Sequence, residues 1–232
     1  MKTIGIIGGM SWESTLVYYQ LINRAVQQRL GGVHSAKILL DSYDFAEMAA
    51  YQQRRDWPAA RALMEDSARK LVQAGADFLI IACNTMHLLA EEVAKAAQRP
   101  VLHIADPLGA AIAHAGLERA GLLGSRFTMD EPGVISGRLK TRFGIDTIVP
   151  EAEDHAMVDR VIYEELIRGQ FLPASRAAYG AVMARLLAQG AQGIILGCTE
   201  IPLLVAPGDV AAPTFDTTAL HAQAAVQEAL ED

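Results

Sequence analysis

The chain alternates short apolar runs with longer stretches in which apolar residues recur every three or four positions. Short apolar runs predict β-strands, and the longer spacing predicts amphipathic helices. Because the two kinds of segment alternate, we expect an α/β fold with mainly parallel sheets. The apolar runs contain few polar positions, which is typical of strands covered by helices on both faces. The predicted strands span residues 3–7, 36–40, 78–82, 101–104, 120–123, 147–149, 193–196 and 212–215.

The helical stretches are bounded by residues that commonly begin or end helices. Pro58 stands in the first turn of one stretch, and Gly75 follows its last residue. Proline at the start and glycine after the end are ordinary helix boundaries. Residues 42–57 and 164–173 are interpreted as loops that carry side-chain specificity. The predicted helices span residues 14–30, 58–74, 85–98, 130–143, 153–168, 174–189 and 216–230.

The two cysteines of the chain occupy matching positions in an internal repeat. Cys83 follows Gly75 by the same spacing as Cys198 follows Gly190, and in each case an apolar run lies between the two residues. The offset between the cysteines is 198 − 83 = 115 residues, half of the 232-residue chain. A duplicated fold with a thiol at the same point of each half can place two thiols face to face. That geometry suits removal of a proton from one face of a carbon and its return to the other.

A glycine pattern extends the repeat and predicts the domain organisation. Residues 5–8 (GIIG) are echoed by residues 121–124 (GLLG). We therefore expect two similar α/β lobes, the first made of residues 1–105 together with 207–232 and the second of residues 106–206. Ligands of open α/β sheets bind beyond the carboxyl ends of the strands. The cysteines and the glycine turns all follow predicted strands, so a cleft between the lobes could collect them.

Each cysteine can be interpreted either as a structural, buried residue or as a reactive thiol. A cysteine outside a disulfide is often a small, buried apolar residue, and both thiols here follow apolar strands. However, polar residues follow each thiol at once, at positions 84–85 and 199–200. A thiol just before a helix N-terminus is activated by the backbone N–H groups and the helix dipole. A metal site is not expected, because two thiols fall short of the usual four ligands.

The turn after the first strand, residues 8–11, is rich in glycine. It lacks the spacing of a dinucleotide-binding loop and the acidic residue that would follow about 20 positions later. Its N–H groups and the Ser11 hydroxyl can bind a small anion such as a carboxylate. Taken alone, an ordinary tight turn explains it equally well.

Other polar residues near the cysteines are candidates for the site. Glu200 and His87 could orient or deprotonate a thiol, although His87 could equally lie on a helix face. Arg54, Arg55 and Arg168 could pair with a substrate side-chain carboxylate, for which the guanidinium fork is well suited. Solvated surface charge is the alternative for each arginine.

Composition and charge exclude several classes of function. A net charge of −7 disfavours binding to a phosphate backbone, and an aromatic content of 6% disfavours a base-stacking surface, so we expect no nucleic-acid partner. No apolar run reaches the roughly 18 residues that a membrane span needs, so we expect no membrane partner. The first residues have a strand pattern and not the pattern of a signal peptide, so we expect no leader. The few cysteines agree with a reducing compartment, so we expect a cytoplasmic protein.

Four segments together resemble the aspartate/glutamate racemase family, whose members work without pyridoxal phosphate. The resemblance spans essentially the whole chain, and the pair of cysteine segments in this order is highly specific. Ser125 stands where the family has threonine in a Gly-Thr-x-x-Thr turn of the second lobe. The four segments are residues 8–15 (GGMSWEST), 83–87 (CNTMH), 124–129 (GSRFTM) and 197–201 (GCTEI).

The resemblance implies a pseudo-twofold pair of α/β lobes with an amino-acid substrate between them. It also implies two catalytic cysteines and no cofactor. One thiolate removes the α-proton while the opposite thiol delivers a proton to the other face. By this resemblance Cys83 acts on the D-enantiomer and Cys198 acts on the L-enantiomer. Relatives are commonly homodimers, so a second copy of the chain is the other expected partner.

The resemblance also assigns residues to the substrate. Members of the glutamate-specific branch often have an acidic residue at the Met10 position and histidine at the Glu200 position. This chain has neither, so it looks closer to the aspartate branch and to the broad-specificity racemases near it. The residues implied in substrate binding are Met10, Ser11, Asn84, Thr85, Thr128, Thr199 and Glu200.

The sequence is also compatible with other functions. A cis–trans isomerase or a decarboxylase of a dicarboxylic acid would belong to the same superfamily. Decarboxylase relatives generally keep one of the two cysteines, whereas isomerase relatives keep both. A non-catalytic small-molecule binding protein gives no reason for two matched thiols, and a redox dithiol would more commonly show Cys-x-x-Cys.

Overall fold

The computed structural model describes residues 1–206 and 208–231. The described chain divides into two compact units. The first comprises Met1–His103 with His221–Asp232, and the second comprises Ile104–Leu220. Each unit is an α/β structure with its own parallel sheet, which confirms the predicted fold class of two α/β lobes with helices on both sheets.

The sheet of the first unit has the strand order β2–β1–β3, and its strands are all parallel. The strands are β1 (Ile4–Gly8), β2 (Ile38–Ser42) and β3 (Phe78–Ile81). The helices that accompany them are α1 (Trp12–Leu30), α2 (Phe45–Arg54), α3 (Trp57–Gln73), a 3-10 helix (Thr85–Leu89) and α4 (Ala90–Ala97).

The sheet of the second unit has the strand order β5–β4–β6–β7, again parallel throughout. Its strands are β4 (Arg119–Gly124), β5 (Asp146–Ile148), β6 (Ile194–Gly197) and β7 (Thr214–Asp216). The helices are α5 (Ala105–His114), α6 (Arg126–Asp130), α7 (Ser136–Phe143), α8 (Ala152–Glu164), a 3-10 helix (Leu166–Arg168), α9 (Pro173–Ala188) and α10 (Ile201–Leu204). Helix α11 (Thr217–Leu230) starts in the second unit and belongs to the first unit from His221 onwards.

Both faces of the first sheet are buried at β1 and β3. Successive residues of a strand point to opposite faces. Ile6 of β1 accordingly packs in one apolar cluster with Ile22 of α1 and Val226 of α11. Ile7 packs in another cluster, with Met64 of α3. A strand covered on both sides has no solvent-facing positions, which explains the continuous apolar runs in the sequence.

Residues 101–104 are not a strand, contrary to the prediction. Val101 makes a single β-bridge to Leu79, and Leu102 donates a backbone hydrogen bond to the Leu79 carbonyl. The chain then enters α5 at Ala105, too soon for a longer ladder to form. An apolar run predicts a buried segment, and His103 and Ile104 are buried here although the strand pairing does not continue.

The predicted helix over residues 130–143 is divided into α6 and α7. Pro132 and Gly133 lie between them, in a turn that the apolar spacing did not register. Helices α2 and α5 were not predicted. The buried face of α2 contains Met48 and the polar residue Gln52, so its apolar periodicity is weak. Helix α5 contains Gly109, a poor helix former, because a β-carbon there would lie 2.3 Å from the Phe143 ring.

The boundary between the units also differs from the predicted one. Residues 208–220 belong to the second unit, because β7 pairs with β6. The first unit regains the chain at His221, within α11. Residue 207, where the predicted return was placed, and residue 232 lie outside the described residues. In the described part of the chain no helix is long and apolar enough to cross a membrane.

Candidate active site

The turn after β1 is fixed in one shape by its glycines and by Thr15. Gly9 has a φ of +81°, and a β-carbon there would lie 2.3 Å from the Tyr43 nitrogen. Glycine is therefore required for both conformation and space. The Gly9 N–H donates to Thr15 Oγ1 at 2.8 Å, and the same hydroxyl donates to the Ser11 carbonyl at 2.9 Å.

Ser11 begins helix α1 and lies beside a second hydroxyl. Its Oγ accepts from the Ser14 N–H at 3.3 Å, which is an ordinary N-cap, and lies 3.1 Å from Ser14 Oγ. Both serines are buried. The preceding residue, Met10, has its side chain in the apolar cluster that contains Met86. Any contact of Met10 with a substrate would therefore come from its main chain.

The second unit repeats this arrangement after β4. Ser125 begins α6, and its Oγ accepts from the Thr128 N–H at 3.4 Å and lies 3.3 Å from Thr128 Oγ1. Ser11 with Ser14 thus matches Ser125 with Thr128. Ser11 and Thr128 were predicted from the sequence and Ser14 was not, although the Ser-x-x-Ser spacing beside Ser-x-x-Thr was a signal for it.

Cys83 directly follows the FLII–Ala82 run of β3 and precedes the 3-10 helix that starts at Thr85. The thiol residue is half-buried and is not in a disulfide. Asn84 and Thr85 are buried beside it. His87 Nδ1 lies 2.9 Å from the Cys83 carbonyl oxygen, and since a carbonyl only accepts, the imidazole donates.

Cys198 follows β6, is likewise half-buried and is not in a disulfide. Its thiol donates to Glu200 Oε2 at 2.9 Å, and the Thr199 hydroxyl donates to the same oxygen at 2.9 Å. Glu200 is only 3% exposed, so this carboxyl group is committed to its neighbours rather than to solvent.

The two thiols therefore have different polar neighbours within matching folds. At the repeat offset of 115 residues, Glu200 corresponds to Thr85 and Pro202 corresponds to His87. Cys198 is contacted by a carboxyl group two residues later, whereas Cys83 is contacted through its carbonyl by an imidazole four residues later.

Tyr179 is a buried polar residue of the second unit that sequence reasoning did not identify. Its hydroxyl donates to the Val158 carbonyl at 3.0 Å. Burial, and then the charge that Cys198 can carry, raise the pKa of Tyr179 above its ordinary value. The phenol therefore stays neutral and acts as a fixed dipole rather than as a base.

The arginines proposed for a side-chain carboxylate are exposed. Arg54 lies in the last turn of α2, with its guanidinium 5.6 Å from the centre of the Tyr51 ring. Arg55 follows in a left-handed conformation, and Arg168 ends a 3-10 helix. Gln52, two residues before Arg54, is buried and donates to Met86 Sδ at 3.1 Å; it is a polar residue that was not predicted from the sequence.

The second unit also contains an apolar cavity of about 250 Å³. Leu196 and Pro202 form part of its wall, with Asp216 at one side. Burial raises the pKa of Asp216, whose carboxylate accepts from the Thr218 and Ala219 N–H groups at the start of α11. Neither cysteine lines the cavity, so we do not assign the substrate to it. Among residues 1–206 and 208–231 no group of three or more His, Cys, Asp or Glu side chains is arranged to hold a metal ion.

Comparison with known proteins places this geometry in a family. The family model described as Asp/Glu/hydantoin racemase matches residues 7–225. A broad-specificity amino-acid racemase of Bacillus subtilis (strain 168) is 28% identical over 134 residues, which are 54% of this chain and 56% of that relative. The matched part of the chain thus spans little more than half the length of that curated relative.

Solved structures match over the whole chain. A candidate Asp/Glu racemase from Yersinia pestis is 48% identical, with a TM-score of 0.92 and complete coverage of both chains. An aspartate racemase homologue from Pyrococcus horikoshii OT3 is 30% identical, with a TM-score of 0.86 and complete coverage of both chains. The chain therefore belongs to the Asp/Glu/hydantoin racemase family.

Proposed function

We propose that this protein is a cofactor-independent amino-acid racemase in which Cys83 and Cys198 are the two catalytic residues. The observation that carries the proposal is the equivalence of the thiols. Cys83 follows β3, which pairs with β1, and Cys198 follows β6, which pairs with β4. Both cysteines therefore lie at the carboxyl end of a parallel sheet, where such folds bind ligands. Each is half-buried, with buried polar residues next to it.

The proposed reaction moves one proton off the α-carbon and another onto it. A thiolate takes the α-proton and becomes a thiol, and the electron pair of the broken C–H bond stays on the α-carbon. The other thiol then gives its proton to the opposite face and becomes a thiolate. The two cysteines have exchanged protonation states, and the substrate has inverted. Family membership supports this assignment of roles.

Glu200 gives the two thiols unequal starting states in this proposal. Its carboxylate accepts a hydrogen bond from the Cys198 thiol, which keeps the proton on sulfur, so Cys198 begins as the acid and Cys83 as the base. By the resemblance, that form is ready for the D-enantiomer. Conversion of the L-enantiomer begins from the complementary form.

The rest of the site must make a weakly acidic C–H bond reactive without an electron-sink cofactor. Fixed positioning and hydrogen bonds to the substrate carboxylate are the available means. We propose that buried hydroxyl, amide and main-chain groups provide them. The residues are Met10, through its main chain, with Ser11, Ser14, Asn84, Thr85, Ser125, Thr128 and Thr199.

Aspartate and glutamate are the substrates we propose first, and neutral amino acids are the alternative. The similarity to an aspartate racemase homologue supports the former, and the similarity to a broad-specificity racemase supports the latter. Arg54 and Arg168 are the proposed partners of a side-chain carboxylate. On that assignment, Arg54→Ala raises KM for aspartate and leaves KM for alanine unchanged; equal KM values for aspartate in variant and wild type would remove Arg54 from the site.

We also propose that the chain works as a homodimer in the reducing cytoplasm, which would keep both cysteines as thiols. Sedimentation equilibrium measures the first point directly. A mass equal to one 25.0 kDa chain at micromolar concentration would contradict it.

The function is tested by proton NMR in D₂O with L-aspartate, L-glutamate and a panel of neutral amino acids. The proposal predicts loss of the α-proton signal together with appearance of the D-enantiomer by chiral chromatography. Release of CO₂ from a dicarboxylic acid, or cis–trans conversion without α-exchange, would instead identify a decarboxylase or an isomerase. Saturable binding with none of these reactions would identify a binding protein.

A further inference from the structure

Three histidines lie together in the interior of the first unit, behind the Cys83 segment. They are His87 of the 3-10 helix, His103 after the Val101 bridge and His221 of α11, and each is at most 6% exposed. The ring centres of His87 and His103 are 4.8 Å apart, and those of His87 and His221 are 5.4 Å apart. His87 is therefore packed between two other imidazoles.

Hydrogen bonds to carbonyl groups fix the tautomers of two of these rings. His221 Nε2 lies 2.8 Å from the Leu102 carbonyl oxygen and so carries a hydrogen. Its Nδ1 must then accept, and the Tyr18 hydroxyl donates to it at 2.9 Å. His87 Nδ1 carries a hydrogen in the same way, because it donates to the Cys83 carbonyl.

The hydrogen bonds and ring contacts form a continuous path from helix α1 to Cys83. Tyr18 orients His221, the His221 ring meets the His87 ring edge-on, and His87 donates to the Cys83 carbonyl. Histidine is costly to bury unless its polar atoms are satisfied. Three in one cluster, joined to the residue that carries a thiol, indicate more than apolar filling.

The position of the second unit that corresponds to His87 cannot form this side-chain hydrogen bond. Pro202 occupies the position that corresponds to His87, and a proline side chain has no group to donate to the Cys198 carbonyl. Cys198 is contacted directly at its sulfur by Glu200. The histidine cluster is thus specific to one thiol of the pair.

We propose that His87 is a positioning residue for Cys83, and that His221, His103 and Tyr18 hold its imidazole in place. The His87 hydrogen bond fixes the plane of the Cys83 peptide at the end of β3 and thereby the direction of the thiol. The catalytic consequence rests on the proposed racemase function, whereas the effect on Cys83 itself does not.

Two substitutions of His87 separate positioning from packing. In His87→Asn the side-chain amide stands near the place of Nδ1 and can donate to the Cys83 carbonyl. His87→Leu fills a similar volume without a donor. A purely structural role predicts that both variants change the reactivity of Cys83 alike. A positioning role predicts that the asparagine variant keeps the wild-type reactivity of Cys83 and that the leucine variant does not.

The readout is the rate at which iodoacetamide alkylates each cysteine, followed by peptide mass spectrometry. We expect His87→Leu to change the Cys83 rate by about threefold to tenfold, the range that one lost hydrogen bond gives. His87→Asn should stay close to the wild-type rate, and the Cys198 rate should be unchanged in both. An unchanged Cys83 rate in the leucine variant, or the same shift in both variants, would overturn the proposal.

Tyr18→Phe provides a milder test if the leucine variant does not fold. It removes the donor to His221 Nδ1 and keeps the ring, so we expect a smaller change at Cys83 in the same direction. The matched control is Tyr19→Phe on the same helix, where the tyrosine is 51% exposed and should have no effect. Equal Cys83 rates in the two phenylalanine variants would remove Tyr18 and His221 from the proposal.

Turnover measurements distinguish this inference from the proposed function. If the wild type racemises an amino acid, we expect His87→Leu to lower kcat more than it changes KM. A Cys83-specific rate change in a protein without racemase activity would support the positioning role and contradict the racemase function. Racemisation by the wild type together with a Cys83 reactivity that does not depend on His87 would support the racemase function and contradict the positioning role.

Discussion

The buried histidine His221 should make the stability of the protein depend on pH. Burial, and then the neighbouring His87, lower the pKa of His221 to about 3, against 6.5 for an ordinary histidine. Between those two values the unfolded chain binds a proton at this residue and the folded chain does not. The free energy of unfolding therefore falls as the pH falls from 6.5 towards 3.

The size of the effect follows from the pKa difference. Each pH unit within this window changes the free energy of unfolding by about 1.4 kcal/mol per titrating group. The contribution of His221 at pH 5 is therefore roughly 2 kcal/mol smaller than at pH 8. The Tyr18 hydroxyl and the Leu102 carbonyl occupy its two ring nitrogens, so the folded state has no free site for the added proton.

Urea unfolding at pH 8 and pH 5 measures this contribution if the wild type is compared with His221→Gln. Glutamine keeps a donor for the Leu102 carbonyl and has no titrating group. We expect the variant to be less stable at pH 8 and to lose about 2 kcal/mol less than the wild type on going to pH 5. His34→Gln, which removes an exposed histidine, is the control and should leave the pH dependence unchanged.

Equal pH dependence in the wild type and His221→Gln would refute the reasoning. It would mean that the folded protein accepts a proton at His221 without cost, and therefore that the cluster is open to water or rearranges. A loss that also disappears in His34→Gln would assign the effect to exposed histidines instead.

Three further predictions concern Glu200 beside the other thiol, Gly9 in the turn after β1, and Gly180 in helix α9. Glu200→Gln weakens the acceptor of the Cys198 thiol, so we expect kcat to fall roughly tenfold with the Cys83 alkylation rate unchanged; an unaltered kcat would remove Glu200 from the mechanism. Gly9→Ala should lower the free energy of unfolding by about 1–3 kcal/mol, because the backbone at this position has a positive φ and the added β-carbon would collide with the Tyr43 main chain. Gly180→Ala, in open space within α9, should instead raise it by about 0.5–1 kcal/mol, and thermal unfolding of the pair checks both signs.

Much of the fold could be predicted because its strands are apolar on both faces. The seven strands within the described residues all fall on or beside predicted runs, and the internal repeat indicated two α/β units. The strand predicted at residues 101–104 was wrong, and helix α5 was not predicted. Within residues 101–104, His103 and Ile104 are buried, yet the segment makes only one bridge, and helix α5 contains Gly109, against which the Phe143 ring packs.

The residues proposed for the site were found from local sequence, and the limits of that approach are physical. Cys83, Cys198 and their neighbours stand at strand ends, which a single sequence reveals. The partners of these residues are remote in the chain: Tyr18 and His221 are 203 positions apart yet share a hydrogen bond. The contrast between Glu200 at one thiol and His87 at the other also depends on side-chain direction, which residue spacing does not give.

The claim that both thiols act as acid and base is tested most directly by incubating each aspartate enantiomer in D₂O with the wild type, Cys83→Ser and Cys198→Ser. Proton NMR follows the α-proton, and chiral chromatography follows the product. We predict that the wild type exchanges and inverts both enantiomers and that each serine variant loses inversion, while circular dichroism shows both variants folded. Near-normal inversion by either folded variant would contradict the two-thiol account.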